Sequence, residues 1–378
     1  MKLIYLTAKK YPASTADHIF VREMSKAFSK ILGGDFLLVL AGGTAEELSG
    51  INKMDLGLEI QRGLSLYYFL WLPFFIRKKE LNDPKTVFFS NDANLLAILI
   101  FWKKALGFRC RIASDWHMLF EDWHDAYVAK NSDALVCTTG HLKDLISKRI
   151  DGIDPASILV AHGGVDPDIF KATDGHRTAL KKRLGLPEGA FLVGYVGFYR
   201  TMGMSKGLAT MINALSLMKK DDIKMVFVGG KPEEIEEYLL LAKEKGVSES
   251  CIFIPVVASP EVISYEQAMD VLIIPYPDRP HFREYGFPMK AYEYMASGNP
   301  IIYSDLPIIA EVLGDCATAF KADSSKDLAE KIIQAKNDFA HGEDLARKAR
   351  AKAGDCTWEK RAEKIIDFVS LKYPAAIR

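Results

Sequence analysis

Short apolar runs alternate with amphipathic stretches along most of the chain. In the first half, Leu3 to Ala8, Phe36 to Ala41, Val87 to Phe89, Arg111 to Ser114, Ala134 to Cys137 and Ile158 to Val160 read as buried strands. Between them, residues 17 to 32, 93 to 106, 118 to 131 and 140 to 150 repeat apolar positions at helical spacing. Strand following helix following strand implies a parallel sheet with helices on both faces. Residues 171 to 190 are polar, basic and punctuated by Gly and Pro, as a domain boundary is. The pattern then restarts: Phe191 to Val196, Met225 to Val228, Cys251 to Ile254, Val271 to Ile274, Ile301 to Tyr303 and Ala317 to Phe320 read as strands with helices between them. Residues 324 to 353 hold two helical patterns. A last one carries an apolar stripe of Trp358, Ala362, Ile365, Ile366 and Val369. The expected fold class is therefore α/β, two doubly wound parallel-sheet domains facing a cleft. The expected domains are 1–170 and 171–356, with a terminal helix in 357–378.

Composition agrees with two ordinary globular cores: 378 residues, 49% hydrophobic and 26% charged. Lys and Arg number 49 and so do Asp and Glu, so no global field draws nucleic acid or an anionic membrane, and any such contact is local. The five cysteines form no CxxC pair and their number is odd, which points to a reducing cytoplasm. The apolar run at the amino terminus stops at Lys9 and Lys10, too short for a secretory signal, and reads as a first strand. No apolar segment reaches the ~20 residues of a transmembrane helix.

Against that background, residues 283 to 305 stand out. They read as a loop, a helix started at Pro288 and stopped at Gly298, and a buried strand. Met289, Tyr292 and Met295 or Ala296 recur at core spacing, which sends Lys290 and Glu293 together to another side. A lysine in the first turn opposes the helix dipole unless it has a partner. A phosphate would supply one, together with the backbone N–H groups of Gly286 and Phe287, and Glu293 would accept hydrogen bonds from a sugar diol. The plainer reading is an i, i+3 surface pair. A second strand-to-helix turn, Gly197 to Gly207, carries Arg200 and Lys206 and suits a pyrophosphate, although glycine and lysine are common in loops. The Val228-Gly229-Gly230 turn lies at the same edge.

In the first half, Ser114 to Asp125 follows a strand at the edge where open α/β sheets bind ligands. Were it helical, His117, Glu121 and His124 would share a face, but the spacing fits no zinc motif, and a polar cleft lining is the better reading. Asp166-Pro-Asp168 is read as a turn, not a metal site. Leu64 to Lys79 and Leu95 to Phe108 are aromatic and aliphatic with lysines at one end, which suits either a membrane interface or core helices. The lack of a clean polar face favours core helices.

Four segments, in order, resemble the retaining glycosyltransferases of family 4, built from two Rossmann-like domains in the GT-B architecture. Gly197 to Gly207 resembles the family's Gly, Arg and Lys-Gly segment, and Tyr285 to Pro300 resembles its donor-binding block. Gly163-Gly-Val-Asp166 with Phe170 is similar to the end of its first domain, and Trp358-Glu-Lys-Arg-Ala to the start of its last helix, which crosses back onto the first domain. The resemblance implies donor binding by Arg200, Lys206, Gly286, Phe287, Lys290 and Glu293. It also implies reaction-centre roles for Asp115 and His117, which straddle the family's histidine position, and for Glu284. There are departures: Tyr285 stands where many members have a first glutamate, with Glu284 one residue earlier. Tyr-Pro-Ala-Ser-Thr-Ala-Asp at 11 to 17 replaces a Gly-Gly loop, and Ser14 or Thr15 would take over its contacts.

The expected activity is transfer of a hexose from a nucleotide-diphosphate sugar to a glycan or lipid-linked acceptor, with retention of configuration. No metal and no cofactor are expected, since two cations and helix-end N–H groups stabilise a leaving diphosphate. No nucleic-acid partner is expected, and peripheral contact with the cytoplasmic face of a membrane is. The alternatives are a nucleotide-sugar epimerase of the same fold and a non-catalytic sugar-binding protein.

Overall fold

A computed structural model describes residues 1–13, 15–43, 46–58, 63–171, 177–218, 222–285 and 288–372. The chain divides into two compact units: Met1–Gly164 with the chain from Trp358 onward, and Val165–Thr357. The first division falls at Gly164/Val165, ahead of the polar stretch after residue 170, because Val165 is already tied by its N–H to the Cys356 carbonyl.

Among the described residues, the first unit contains β1 (Lys2–Leu6), α1 (Ala16–Leu32), β2 (Phe36–Leu40), β3 (Lys53–Asp55), α2 (Leu64–Lys78), β4 (Thr86–Ser90), α3 (Ala93–Leu106), β5 (Arg111–Trp116), α4 (Trp123–Asn131), β6 (Ala134–Cys137), α5 (Gly140–Arg149) and β7 (Ile158–Val160). The strands form one parallel sheet in the order β3-β2-β1-β4-β5-β6-β7. Its direction reverses at β1, the switch point where such sheets open a site at the strands' carboxyl ends.

The second unit contains α6 (Pro167–Lys171), α7 (Arg177–Arg183), β8 (Phe191–Val196), β9 (Arg200–Thr201), β10 (Met204–Ser205), α8 (Leu208–Met218), β11 (Ile223–Gly230), α9 (Pro232–Glu244), β12 (Cys251–Pro255), α10 (Ser259–Ala268), β13 (Val271–Ile274), α11 (Pro280–Glu284), α12 (Met289–Ser297), β14 (Ile301–Ser304), α13 (Pro307–Leu313), β15 (Thr318–Phe320), α14 (Ser325–Asn337) and α15 (Phe339–Ala353). Its parallel sheet runs β12-β11-β8-β13-β14-β15, with β9 and β10 as a separate antiparallel pair. The last helix, α16 (Trp358–Lys372), packs in the first unit.

Local chemistry sets the element ends. The Asp92 carboxylate accepts the N–H groups of Asn94 and Leu95 to start α3, and Gly107, at φ 64°, stops it. Two expectations shift. The helix expected over 118 to 131 begins only at Trp123, because Asp122 caps it there by accepting the His124 N–H. The segments at 64 and 95 do form helices of the sheet layer, but α2 is not wholly core: Tyr68, Leu72, Phe75 and Ile76 face inward while Leu66, Leu70 and Phe74 stand exposed at 63%, 58% and 71%.

A buried ion pair fastens α16. The Arg361 guanidinium donates to the Asp115 carboxylate at 2.8 Å and to the Ala161 carbonyl at 3.1 Å, and it lies over the Phe20 ring at 4.9 Å. Arg361 and Asp115 are 2% and 3% exposed. Trp358 adds an edge contact to Phe20, with ring centroids 5.5 Å apart. Breaking a buried pair strands the other charge in a poor solvent and costs about 3–5 kcal/mol. Arg361→Met is therefore expected to lower the first unit's unfolding free energy, measured by urea titration, by that much. A change below about 1 kcal/mol, the worth of a surface pair, would show that the pair does not hold α16.

Candidate active site

In the second unit, the carboxyl end of β8 is built around Lys290. Pro288 caps α12 and Gly298, at φ 77°, ends it, so Tyr292, Met295 and Ala296 are buried and Lys290 and Glu293 share another face. The Lys290 ammonium donates to the Val196 carbonyl, lies 3.7 Å from Glu293 Oε2, and sits over the Tyr195 and Tyr294 rings at 5.7 and 5.3 Å. The misplaced first-turn cation thus has protein partners of its own. The close approach dictates the sequence at 197: a Cβ on Gly197 would collide with the Lys290 ammonium.

Lys206 follows β10, and its backbone N–H donates to the Tyr199 carbonyl. The next residue must be glycine, since Gly207 has φ 90° and a Cβ there would strike the Pro275 carbonyl. Burial first, and then the Lys290 charge, pull the Lys206 ammonium down to about 8, against the opposing pull of Glu293 and Glu234. Among the described residues, no hydrogen bond or ion pair occupies this ammonium. His281, on α11, lies in the same field. Burial and Lys206 hold its imidazole below the usual histidine range.

Arg200 turns elsewhere. Its guanidinium donates to Glu237 Oε2 at 2.6 Å and the Gly203 carbonyl at 3.2 Å, with Glu234 at 3.9 Å. Lys206, Lys290 and Glu293 therefore come together, while Arg200 is held by the acidic face of α9. Glu284 ends α11. Gly286, Phe287 and Ser14 lie outside the described residues.

In the first unit, His117 follows β5. Its Nε2 lies 3.4 Å from Asp115 Oδ2, and its ring meets the Phe20 edge at 4.2 Å. Burial would raise the Asp115 carboxyl, but Arg361 and then His117 outweigh it and hold the group below the ordinary carboxylate range. Asp17, on α1, is lowered in the same way: burial opposes, while Lys9 at 2.9 Å and then His117 prevail. His117 is therefore flanked by two ionised carboxylates. The shared helical face of His117, Glu121 and His124 does not form, because residues 117 to 122 are not helical. His117 faces Asp115, Glu121 faces Arg149, and His124 faces Asp122.

Residues 176–352 match the family model for glycosyl transferases group 1. The matched stretch covers nearly all of the second unit, including Arg200, Lys206, Lys290 and Glu293. A D-inositol 3-phosphate glycosyltransferase of Xylanimonas cellulosilytica is 28% identical over 250 residues, 64% of this chain and 57% of that protein. One from Stackebrandtia nassauensis is 25% identical over 251 residues, 63% of this chain and 54% of its own length. The chain thus spans about half the length of the curated relatives it matches. Among solved structures, HepE of Anabaena with UDP bound superposes with a TM-score of 0.79 at 15% identity, covering 98% of this chain and all of that one, and HepE is also solved with UDP-glucose. The two parallel-sheet domains are those of GT-B glycosyltransferases.

Sequence reasoning missed Arg361, Asp17, His281 and Glu266. The last lies on α10 and is wholly buried, and neither carboxyl oxygen has a hydrogen-bond partner among the described residues. Burial first, then Glu293, push its carboxyl well above the usual range, with Lys290 opposing. The folded state therefore keeps a proton that the unfolded chain releases above about pH 4.5, so this group's contribution to stability declines as pH rises from there. Glu266→Gln removes the decline. The melting temperature of the variant should match wild type near pH 4 and exceed it increasingly toward pH 8. A constant difference across that range would mean that Glu266 is ionised in the folded protein.

Proposed function

We propose that the chain transfers a hexose from a uridine-diphosphate sugar to a glycan or lipid-linked acceptor, with retention of configuration and without a metal. The observation that carries the reading is the pair Lys206 and Lys290 beside Glu293 at the end of β8, in the domain of matched family. HepE, of the same fold, is solved with UDP and UDP-glucose, which supports uridine as the base.

In this mechanism, Lys206 and Lys290 receive the diphosphate and stabilise the charge that grows on it as the bond from C1 to the phosphate oxygen breaks. The acceptor hydroxyl attacks C1 from the same face, the new C1–O bond forms, and the hydroxyl proton passes to the departing phosphate oxygen. Glu293 takes the ribose hydroxyls, and Glu284 with Gly286 and Phe287 holds the hexose. Arg200 joins the phosphate by leaving Glu237. In the first unit, which takes the acceptor, His117 serves the acceptor and Asp115 positions His117.

The exposed row Leu66, Leu70 and Phe74 on α2 ends in Arg77 and Lys78. An apolar row closed by cations suits the surface of an anionic bilayer, where the acyl boundary takes the side chains and lipid phosphate takes the bases. This supports a lipid-linked acceptor reached at the cytoplasmic face of a membrane, and no helix among the described residues is long and apolar enough to cross one.

Calorimetric titration with UDP tests the donor site. A lysine lowered to about 8 is charged below that pH and neutral above it, so wild-type affinity should fall roughly tenfold from pH 7 to pH 9. Lys206→Arg should flatten that dependence, and Lys206→Ala should weaken binding at pH 7 by roughly 10- to 100-fold, the worth of a hydrogen bond to a charged group. No binding to the wild type would remove the donor-site reading. Conversion of UDP-glucose without any acceptor would favour an epimerase.

The membrane contact is tested separately by sedimentation with phosphatidylserine-containing liposomes at low salt. Wild type should sediment, and Phe74→Glu should stay in the supernatant with an unchanged UDP response. Equal behaviour of the two proteins would count against the contact.

A further inference from the structure

The loop between β5 and α4 is held with more care than a plain connection needs. Glu121 adopts φ 60°, a left-handed conformation that is strained for a non-glycine residue. The Asp125 carboxylate, nearly buried, locks it in place by accepting the N–H groups of Phe120 at 2.9 Å and Glu121 at 2.8 Å. Asp122 caps α4 through the His124 N–H and holds the His124 ring through Nδ1, both at 2.8 Å.

What this clamp holds in solvent is aromatic. Trp123 is 62% exposed and Phe120 38%. The indole lies nearly flat on the His124 ring, with centroids 3.8 Å apart and planes at 28°. One indole face is therefore covered by a fixed imidazole, and the exposure belongs to the rest of the ring. Its polar neighbours along the chain, Asp122 and Glu121, the latter paired with Arg149 at 2.7 Å, make up its rim.

We propose that Trp123, backed by His124, is a stacking platform for a sugar ring of the acceptor. A pyranose offers an apolar C–H face to an aromatic plane and hydroxyls at its edge to polar groups, which is the arrangement of Trp123 within its rim. An acyl chain would use the plane and leave the rim unmatched. The platform lies on the segment that starts at His117, so an acceptor sugar stacked there is held on the element that carries the proposed reaction-centre histidine. This inference rests on the glycosyltransferase reading and names a residue that selects its acceptor.

Trp123 is the most exposed of the five tryptophans: Trp71 and Trp102 are half-buried, and Trp116 and Trp358 are buried. Iodide quenching of the full chain's fluorescence therefore reports mainly on Trp123. Maltose, cellobiose, α-1,6-mannobiose and myo-inositol serve as probes, each up to 200 mM. At least one is expected to shield the quenchable tryptophan. Saturation-transfer NMR with that sugar should show binding weakened about tenfold in Trp123→Ala and largely kept in Trp123→Phe, as expected for the loss of an aromatic plane. All three proteins should give the same thermal shift with UDP, which shows that the variants fold. The proposal is overturned if no probe shields Trp123, if Trp123→Ala binds the sugar as wild type does, or if anionic liposomes shield it where sugars do not. An absent UDP shift in wild type would instead sink the donor reading, so the two failures are distinguishable.

Discussion

The hydrogen bond from the Lys290 ammonium to the Val196 carbonyl organises the carboxyl end of β8. A cation in the first turn of α12 sits against the positive end of the helix dipole, and the structure offsets that cost with a carbonyl, two aromatic faces and Glu293. The arrangement reaches into the sequence at distant places. Position 197 must lack a Cβ. Tyr294 must be buried so that its hydroxyl accepts the Val196 N–H at 2.9 Å. Lys206 must tolerate burial and a like charge nearby, and its lowered proton affinity follows from burial first and that charge second.

Much of this was legible. The period-2 and period-3.6 patterns place nearly every strand of both sheets, because parallel strands buried on both faces read as short continuous apolar runs. The stripe of Tyr292, Met295 and Ala296 separates Lys290 and Glu293 onto one face before any coordinates are seen. β3 escaped because its Lys53-Met-Asp55 is a polar edge of three residues with no pattern to detect. The start of α4 escaped because helical spacing alone does not reveal a cap, and the Asp122 cap decides it.

What sequence could not show are partnerships across long separations. Arg361 and Asp115 lie 246 residues apart, and nothing in Trp-Glu-Lys-Arg-Ala marks its arginine as buried. Glu266 looks like one more helical glutamate until its complete burial beside Glu293 is seen. The surface of α2 was hidden for another reason: a helix apolar nearly all round looks like core by composition, and only its packing shows that Leu66, Leu70 and Phe74 face water.

Arg200 and Lys206, adjacent in the phosphate-binding reading, are held in opposite ways. Arg200 is satisfied by Glu237 and Glu234 in an exposed setting, where an ion pair is worth up to about 1 kcal/mol. A diphosphate with two charges displaces such a partner readily, so the α9 glutamates park the arginine without competing for it strongly. Lys206 has the contrary problem, a buried ammonium beside another cation, and an arriving anion relieves both burdens at once. The buried lysine therefore gains more from the ligand than the exposed arginine does. Under the proposed function, affinity would therefore reside mainly in Lys206, and Arg200 would act as a late contact that closes on a phosphate already bound.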